Sequence, residues 1–224
     1  MIRRMFFPGI LDTGLVCDRL FAIRDGIVNM YIVSAPKGLV CFDAGFRRAC
    51  VTRGFKTLEL EPKKVAAVFL THSHWDHARG VRLFPDSEAY MGELEHPSRL
   101  LNPLQSTRPW TKLSDGQTVE AAGLSVRVVS TPGHTAGSVS YVVENRLLFT
   151  GDTLRLRRGE VLPFLRCFNS DGQAMVQSIE SLAGLKGIEW LLTGHTGATR
   201  DVAAAFRRWR GTSIAPLQHT ESQP

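Results

Sequence analysis

Thr71-His72-Ser73-His74-Trp75-Asp76-His77 sets three imidazoles and a carboxylate on one short stretch, directly after the apolar run Val65 to Leu70. A continuous apolar run of that length fits a buried strand, so the chain reaches the histidines from the end of a sheet. Side chains alternate along extended backbone, which puts His72 and His74 on one face, where they can grip one ion together. Asp76 and His77 come as the chain turns and can point to a second ion. Imidazole nitrogen and carboxylate oxygen are the donors that zinc and its first-row neighbours bind. Burying so many polar groups without an ion would leave them unsatisfied.

Working outward, three further strings share the pattern of an apolar strand followed by turn formers and a ligand. They are Thr131-Pro132-Gly133-His134-Thr135, Phe149-Thr150-Gly151-Asp152-Thr153 and Gly194-His195-Thr196-Gly197, each preceded by an apolar run. Five of the seven histidines fall in these strings and the first. By analogy with other α/β folds, strand ends converge at one edge of a sheet and bring separate segments to one point. The candidate metal ligands are therefore His72, His74, Asp76, His77, His134, Asp152 and His195. Pro-Gly-His alone is also consistent with a simple turn, and the isolated His96 and His219 read as surface or capping residues.

The remaining elements follow from composition and punctuation. Leu15 to Ile23, Ile27 to Val33 and Leu39 to Phe42 read as strands, with a hairpin at Asp25-Gly26. A helix is expected over Ala78 to Phe84, a short strand at Ala89 to Met91, a helix over Glu93 to Leu101, and an irregular loop over His96 to Gly116, where prolines recur. The second half gives strands at Leu124 to Val129, Val139 to Val143, Leu147 to Phe149 and Ile188 to Leu192. Helical spacing of apolar residues marks Gln173 to Leu185 and Val202 to Trp209. Trp75, among the ligands, is expected to pack beneath the metals as core.

At 224 residues with 43% hydrophobic and 21% charged side chains, the chain suits an ordinary globular domain with a sizeable core. One domain over 1–210 and a short flexible tail over 211–224 is the simplest organisation. A net charge of +6 favours an anionic small-molecule substrate. The densest arginine group, Arg155, Arg157 and Arg158, is too short for a nucleic-acid stripe, so no nucleic-acid partner is expected. Four cysteines without paired spacing fit free thiols in a reducing compartment, Cys17 and Cys41 being buried. The opening residues lack a full secretory apolar region, and no run is long enough to span a bilayer, which gives a cytoplasmic expectation. No residue pattern sets an oligomeric state.

With these motifs in view, the chain resembles the metallo-β-lactamase superfamily over roughly Asn29 to Gly197. Asp43 in Phe42-Asp43-Ala44-Gly45 matches the first motif, a strand-end aspartate that supports the metal loop. His72, His74, Asp76 and His77 match the second, His134 the third, Asp152 the fourth and His195 the fifth. The resemblance implies an α/β (α+β) fold, the four-layer αβ/βα sandwich, with the metal site at one edge of its two sheets. It also implies two zinc ions (Zn2+) per chain, iron or manganese being alternatives for the same donors. His72, His74 and His134 would hold one metal, and Asp76, His77 and His195 the other, with Asp152 bridging. The implied activity is hydrolysis: a hydroxide shared by the two ions attacks a small ester, thioester or lactone carbonyl. Asp76 and Asp152 would fix that hydroxide and move its proton.

Departures narrow the substrate. Glyoxalase II enzymes carry a C-terminal helical region for glutathione, whereas 29 residues follow His195 here; Arg207, Arg208 and Arg210 would mimic part of it at most. The known lactonases have a tyrosine soon after the bridging aspartate, where this chain has Thr153-Leu154-Arg155. Arg155 offers a fork for a substrate carboxylate or else faces solvent. The alternatives are a phosphodiesterase of the same superfamily and a mononuclear iron persulfide dioxygenase-like oxidoreductase.

Overall fold

The computed structural model describes residues 9–96 and 109–209. Two sheets stack face to face. The first holds β1 (Gly14–Cys17), β2 (Leu20–Asp25), β3 (Val28–Ala35), β4 (Gly38–Phe42), β5 (Val65–Phe69), β6 (Glu88–Gly92) and β7 (Thr111–Leu113) side by side in chain order. Pairing is antiparallel from β1 to β4 and parallel from β4 to β7. The second holds β8 (Thr118–Ala121), β9 (Leu124–Ser130), β10 (Val139–Val143), β11 (Leu147–Phe149), β14 (Trp190–Leu192) and β15 (Ala198–Thr199), in the order β15-β14-β11-β10-β9-β8. A separate hairpin pairs β12 (Leu154–Arg157) with β13 (Glu160–Pro163).

Alternation along the strands builds three cores at once. Inward residues such as Tyr31, Phe42, Phe69, Val128, Tyr141 and Phe149 fill the space between the sheets. Phe42 of the first sheet stacks on Phe149 of the second, with ring centroids 4.0 Å apart. Each such ring contributes about 1.5–3 kcal/mol by its burial. Outward residues of the first sheet, among them Ile23, Ile32, Cys41 and Leu70, bury against Val51 and Phe55 of α1 (Arg48–Thr57) and against Ala78, Val81 and Phe84. Outward residues of the second, such as Val142, Leu148 and Leu191, meet α3 (Gly172–Ala183), α4 (Val202–Ala205) and the separate hairpin. The result is helix, sheet, sheet, helix, as expected.

Several local expectations need correction. Leu15 to Ile23 is two strands, because the chain turns at Asp18, whose φ is +38°. The helix expected over Ala78 to Phe84 begins earlier, as one α-turn, α2 (Trp75–Ala78), and continues as a 3-10 segment, Arg79–Leu83. Glu93 and Leu94 form a turn rather than opening a helix, since Glu95 is drawn into the interior by polar partners; the rest of that stretch lies outside the described residues. The loop over His96 to Gly116 contains β7, which extends the sheet beside β6. The last helix closes after Ala205 into turns. Cys41 is buried, whereas Cys17 is only partly so. The tail expected over 211–224 lies outside the described residues, and among those described no helix is long and apolar enough to cross a membrane.

Candidate metal centre

Four strands end at one place. β5 delivers Thr71 to His77, β9 delivers Thr131 to Thr135, β11 delivers Thr150 to Thr153, and β14 delivers Thr193 to Gly197. The loops are pinned from inside the sandwich: Tyr141 Oη donates to Leu70 O at 2.7 Å, and Tyr31 Oη to Thr193 O at 2.8 Å. Two glycines let the loops close on each other. Gly151 has φ +50°, and a Cβ there would sit 2.2 Å from Thr71 Oγ1. A Cβ at Gly194 would meet Asp152 Oδ1 at 2.6 Å and His77 Cε1 at 2.7 Å.

All seven side chains anticipated as ligands converge. Three groups have ligand atoms within 4.8 Å of one another: His72, His74 and His134; His72, His77 and Asp152; Asp76, His77 and His195. His134 Nε2 lies 2.8 Å from His74 Nδ1, and His77 Nε2 lies 3.3 Å from His195 Nε2. Two nitrogens on one tetrahedral ion with ordinary bonds stand about 3.3 Å apart. Asp152 reaches both groups. Its Oδ2 is 3.5 Å from His134 Nε2 and 3.2 Å from His195 Nε2, and its Oδ1 is 3.4 Å from His77 Nε2. Asp76 Oδ2 stands 3.5 Å from His195 Nε2. His72 Nε2 and Asp152 Oδ1 are buried without a hydrogen-bond partner among the described residues. An orphaned ring nitrogen and an orphaned carboxylate oxygen, facing a nitrogen-and-oxygen donor set, fit a bound cation.

The opposite edges of the rings are held by the protein. His77 Nδ1 is 2.7 Å from Asp43 Oδ2, and Thr71 N–H donates to Asp43 Oδ1 at 2.8 Å. Asp43 thus sits behind the cluster, where the family resemblance puts it, at φ +57°, a left-handed conformation that aspartate tolerates. His195 Nδ1 lies 2.6 Å from Ile27 O, on the turn between β2 and β3. His134 Nδ1 lies 3.3 Å from Asn169 Oδ1. These contacts fix the ring orientations and leave Nε2 facing the cluster.

Glu95, unforeseen in the sequence, braces two of the loops. It is 2% exposed; its Oε1 accepts from Ser73 N–H at 2.7 Å and its Oε2 from Thr135 Oγ1 at 2.6 Å. Ser73 lies between His72 and His74, and Thr135 follows His134. One carboxylate therefore ties together all three histidines of the first group. Lys112 Nζ donates to the Glu95 carbonyl oxygen.

The cluster divides electrostatically. Burial, reinforced by the neighbouring His77 and His134, holds His72 well below the usual histidine range, and burial with His134 lowers His74. Burial opposes the charge on His77 too, but Asp152, Asp43 and Asp76 outweigh it and raise this ring well above that range. His195 is raised against its own burial by Asp152. Asp152, against the effect of burial, is held well below the carboxylate range by His195 and His77.

A cavity of about 480 Å³ opens above the cluster. Its floor is polar, formed by ligand side chains, and its walls are Ile27, Trp75, Phe164 and Phe168. Trp75 is therefore not core: it is 41% exposed and meets Phe46 edge-on at 4.6 Å. It opens the single turn α2, whose Asp76, His77 and Ala78 take the buried side. Arg155 does not line the cavity; its Nε donates to Pro163 O at 3.1 Å. Arg208 pairs at the surface with Glu160 at 3.3 Å, and Arg210 lies outside the described residues, as does His219.

A strand-end histidine and aspartate cluster at the edge of an αβ/βα sandwich defines a metal-binding type of architecture. Residues 23–210 match the model of the metallo-beta-lactamase superfamily, and the chain belongs to it. It is 32% identical over 127 residues to a probable polyketide biosynthesis zinc-dependent hydrolase, BaeB, of Bacillus velezensis, covering 55% of this chain and 54% of that protein. It is 31% identical over 159 residues to the hydroxyacylglutathione hydrolase of Glaesserella parasuis, covering 69% and 61%. The chain thus spans little more than half the length of these relatives. In fold it is similar to a metallo-beta-lactamase family protein of Thermus thermophilus, with a TM-score of 0.67 at 21% identity over 87% of this chain and 79% of that one.

Proposed function

We propose that the protein is a dinuclear metal-dependent hydrolase of small esters, thioesters or lactones. The observation that carries this reading is Asp152, one carboxylate within 3.5 Å of His134 on one side and His77 and His195 on the other. His72, His74 and His134 would hold one cation, and Asp76, His77 and His195 the second, with Asp152 between them. Zinc suits these donors, and a zinc-dependent hydrolase among the relatives supports it. When bound, such ions lower the pKa of water and polarise a carbonyl oxygen.

The chain's own groups do the rest. Asp152, kept ionised by His77 and His195, accepts a hydrogen bond from the attacking water and orients it. Asp76, whose side chain is 13% exposed on the cavity floor, accepts the water's proton and passes it toward the leaving group. Asp43 and Ile27 O keep His77 and His195 from rotating as charge moves. On this reading the substrate is a small molecule.

The test is elemental analysis of the protein as purified, run beside a panel of esters, thioesters, lactones and phosphodiesters. Two metals per chain and carbonyl hydrolysis are expected. A single iron with oxygen uptake on glutathione persulfide would overturn the proposal in favour of the oxidoreductase.

A further inference from the structure

The walls of the cavity carry information that its floor does not. Among the described residues four large apolar side chains stand exposed, and two of them, Trp75 at 41% and Phe168 at 56%, face this one opening. Exposed aromatic surface gathered around a polar floor marks a binding site rather than a solvated exterior. These rings are also held in place. Trp75 is propped at 83° by Phe46, itself covered by the Arg47 guanidinium 4.9 Å from its centroid. Phe164 lies 5.3 Å from both the His134 and the His195 rings, and Phe168 continues the same wall 6.2 Å beyond Phe164. An aromatic wall therefore runs from the candidate ligands out to the mouth, with Ile27 completing it. None of the described lining residues is lysine or arginine.

From this we infer that the site is built for a carbonyl substrate whose acyl group is bulky and apolar, aromatic or branched, with Trp75, Phe164 and Phe168 as the residues that set this preference. The inference rests on the hydrolase reading for the position of the scissile carbonyl over the floor. The acyl body then lies among Trp75, Phe164 and Phe168, which line the same cavity. This departs from the anionic substrate that the net charge favours, because the positive charge is not in the cavity lining described here. Charged substrates gain no partner from these walls, whereas each buried methylene gains roughly fourfold in binding.

The experiment uses the purified protein and a series of thioesters sharing one thiol and differing in the acyl group: acetyl, hexanoyl, benzoyl and 2-naphthoyl. The expected kcat/KM rises from acetyl to 2-naphthoyl by at least about tenfold. Trp75→Ala and Phe168→Ala each reduce the naphthoyl-to-acetyl ratio by a factor of about three or more, while the metal content by elemental analysis stays at the wild-type value. In parallel, an inert 2-naphthyl methyl ketone is titrated into the protein and its binding followed by quenching of tryptophan fluorescence, which Trp75→Phe diminishes. Equal or faster turnover of acetyl over naphthoyl overturns the inference and leaves the hydrolase reading standing. If no thioester, ester or lactone is hydrolysed, the hydrolase reading fails, and the ketone titration alone decides: saturable quenching that depends on Trp75 supports the apolar site, and its absence removes it.

Discussion

Glu95 supplies the sharpest quantitative test of how the centre is assembled. Glu95→Ala removes both acceptors that serve Ser73 N–H and Thr135 Oγ1. Hydrogen bonds to a charged partner contribute about 1.5–3 kcal/mol each, so the pair amounts to about 3–6 kcal/mol. The Thr135 hydroxyl has Ser138 Oγ at 2.8 Å as a substitute, but the Ser73 amide loses its carboxylate acceptor outright. Glu95→Gln behaves differently. Its amide oxygen keeps the Ser73 bond, and Thr135 turns its proton to Ser138 and accepts from the new NH2 group, for a loss of about 1–2 kcal/mol. Lys112 keeps its bond to the backbone carbonyl in both variants, and both remove the carboxylate charge that favours its ammonium form. Urea unfolding of the metal-free proteins measures the difference without interference from bound ions. With m near 3 kcal/mol/M, Glu95→Ala lowers the midpoint by about 1–2 M. Binding of the first metal equivalent weakens with it, because His72, His74 and His134 lose their common brace. An alanine variant within about 1 kcal/mol of wild type, or one less affected than the glutamine variant, would refute the reasoning.

Three further outcomes are expected. His134→Ala and Asp152→Ala abolish turnover and lower the metal count while the far-ultraviolet circular dichroism is retained; wild-type turnover by either removes the assigned site. Gly194→Ala drives a methyl group into Asp152 and His77, so metal content falls in a folded protein, and full occupancy would contradict the close approach of the two loops. Metal binding near neutral pH releases protons, because neighbouring carboxylates raise His77 and His195 above the usual histidine range and make both rings hold protons more tightly in the metal-free protein. Affinity then increases as pH rises through those values, and calorimetric heats vary with the ionisation enthalpy of the buffer; heats independent of buffer would exclude it. The same two groups stabilise the metal-free fold below the unfolded histidine value of about 6.5, and that contribution fades as pH climbs through their raised values.

The ligand cluster was legible because its members are local: His72, His74, Asp76 and His77 share one string, and each other ligand follows an apolar strand. Asp43 was legible only by resemblance to a family motif, since nothing near it in sequence announces that it holds His77. Glu95 and Ile27 were invisible for a physical reason. One acts through two loops distant in the chain, and the other through a backbone oxygen that any residue possesses. Trp75 was misplaced because hydrophobicity alone does not choose a face in a single helical turn, where three buried neighbours already claim the inside. Helix α1 went unforeseen because Val51 and Phe55 are its only large buried side chains and no side chain caps its start. The aromatic walls at Phe164 and Phe168 follow the separate hairpin, whose alternating Leu154 to Arg157 strand carried no clear signal of its own.

The contact between His195 and Ile27 O joins positions 168 residues apart. A nascent chain leaving the ribosome therefore exposes His72, His74 and His77 long before their last companion is synthesised. Until the carboxy-terminal strands dock, those histidines form at best an incomplete, promiscuous chelator. On the proposed reading, the complete donor set forms only once the carboxy-terminal strands have docked, so metal loading would follow the assembly of the sandwich rather than start it.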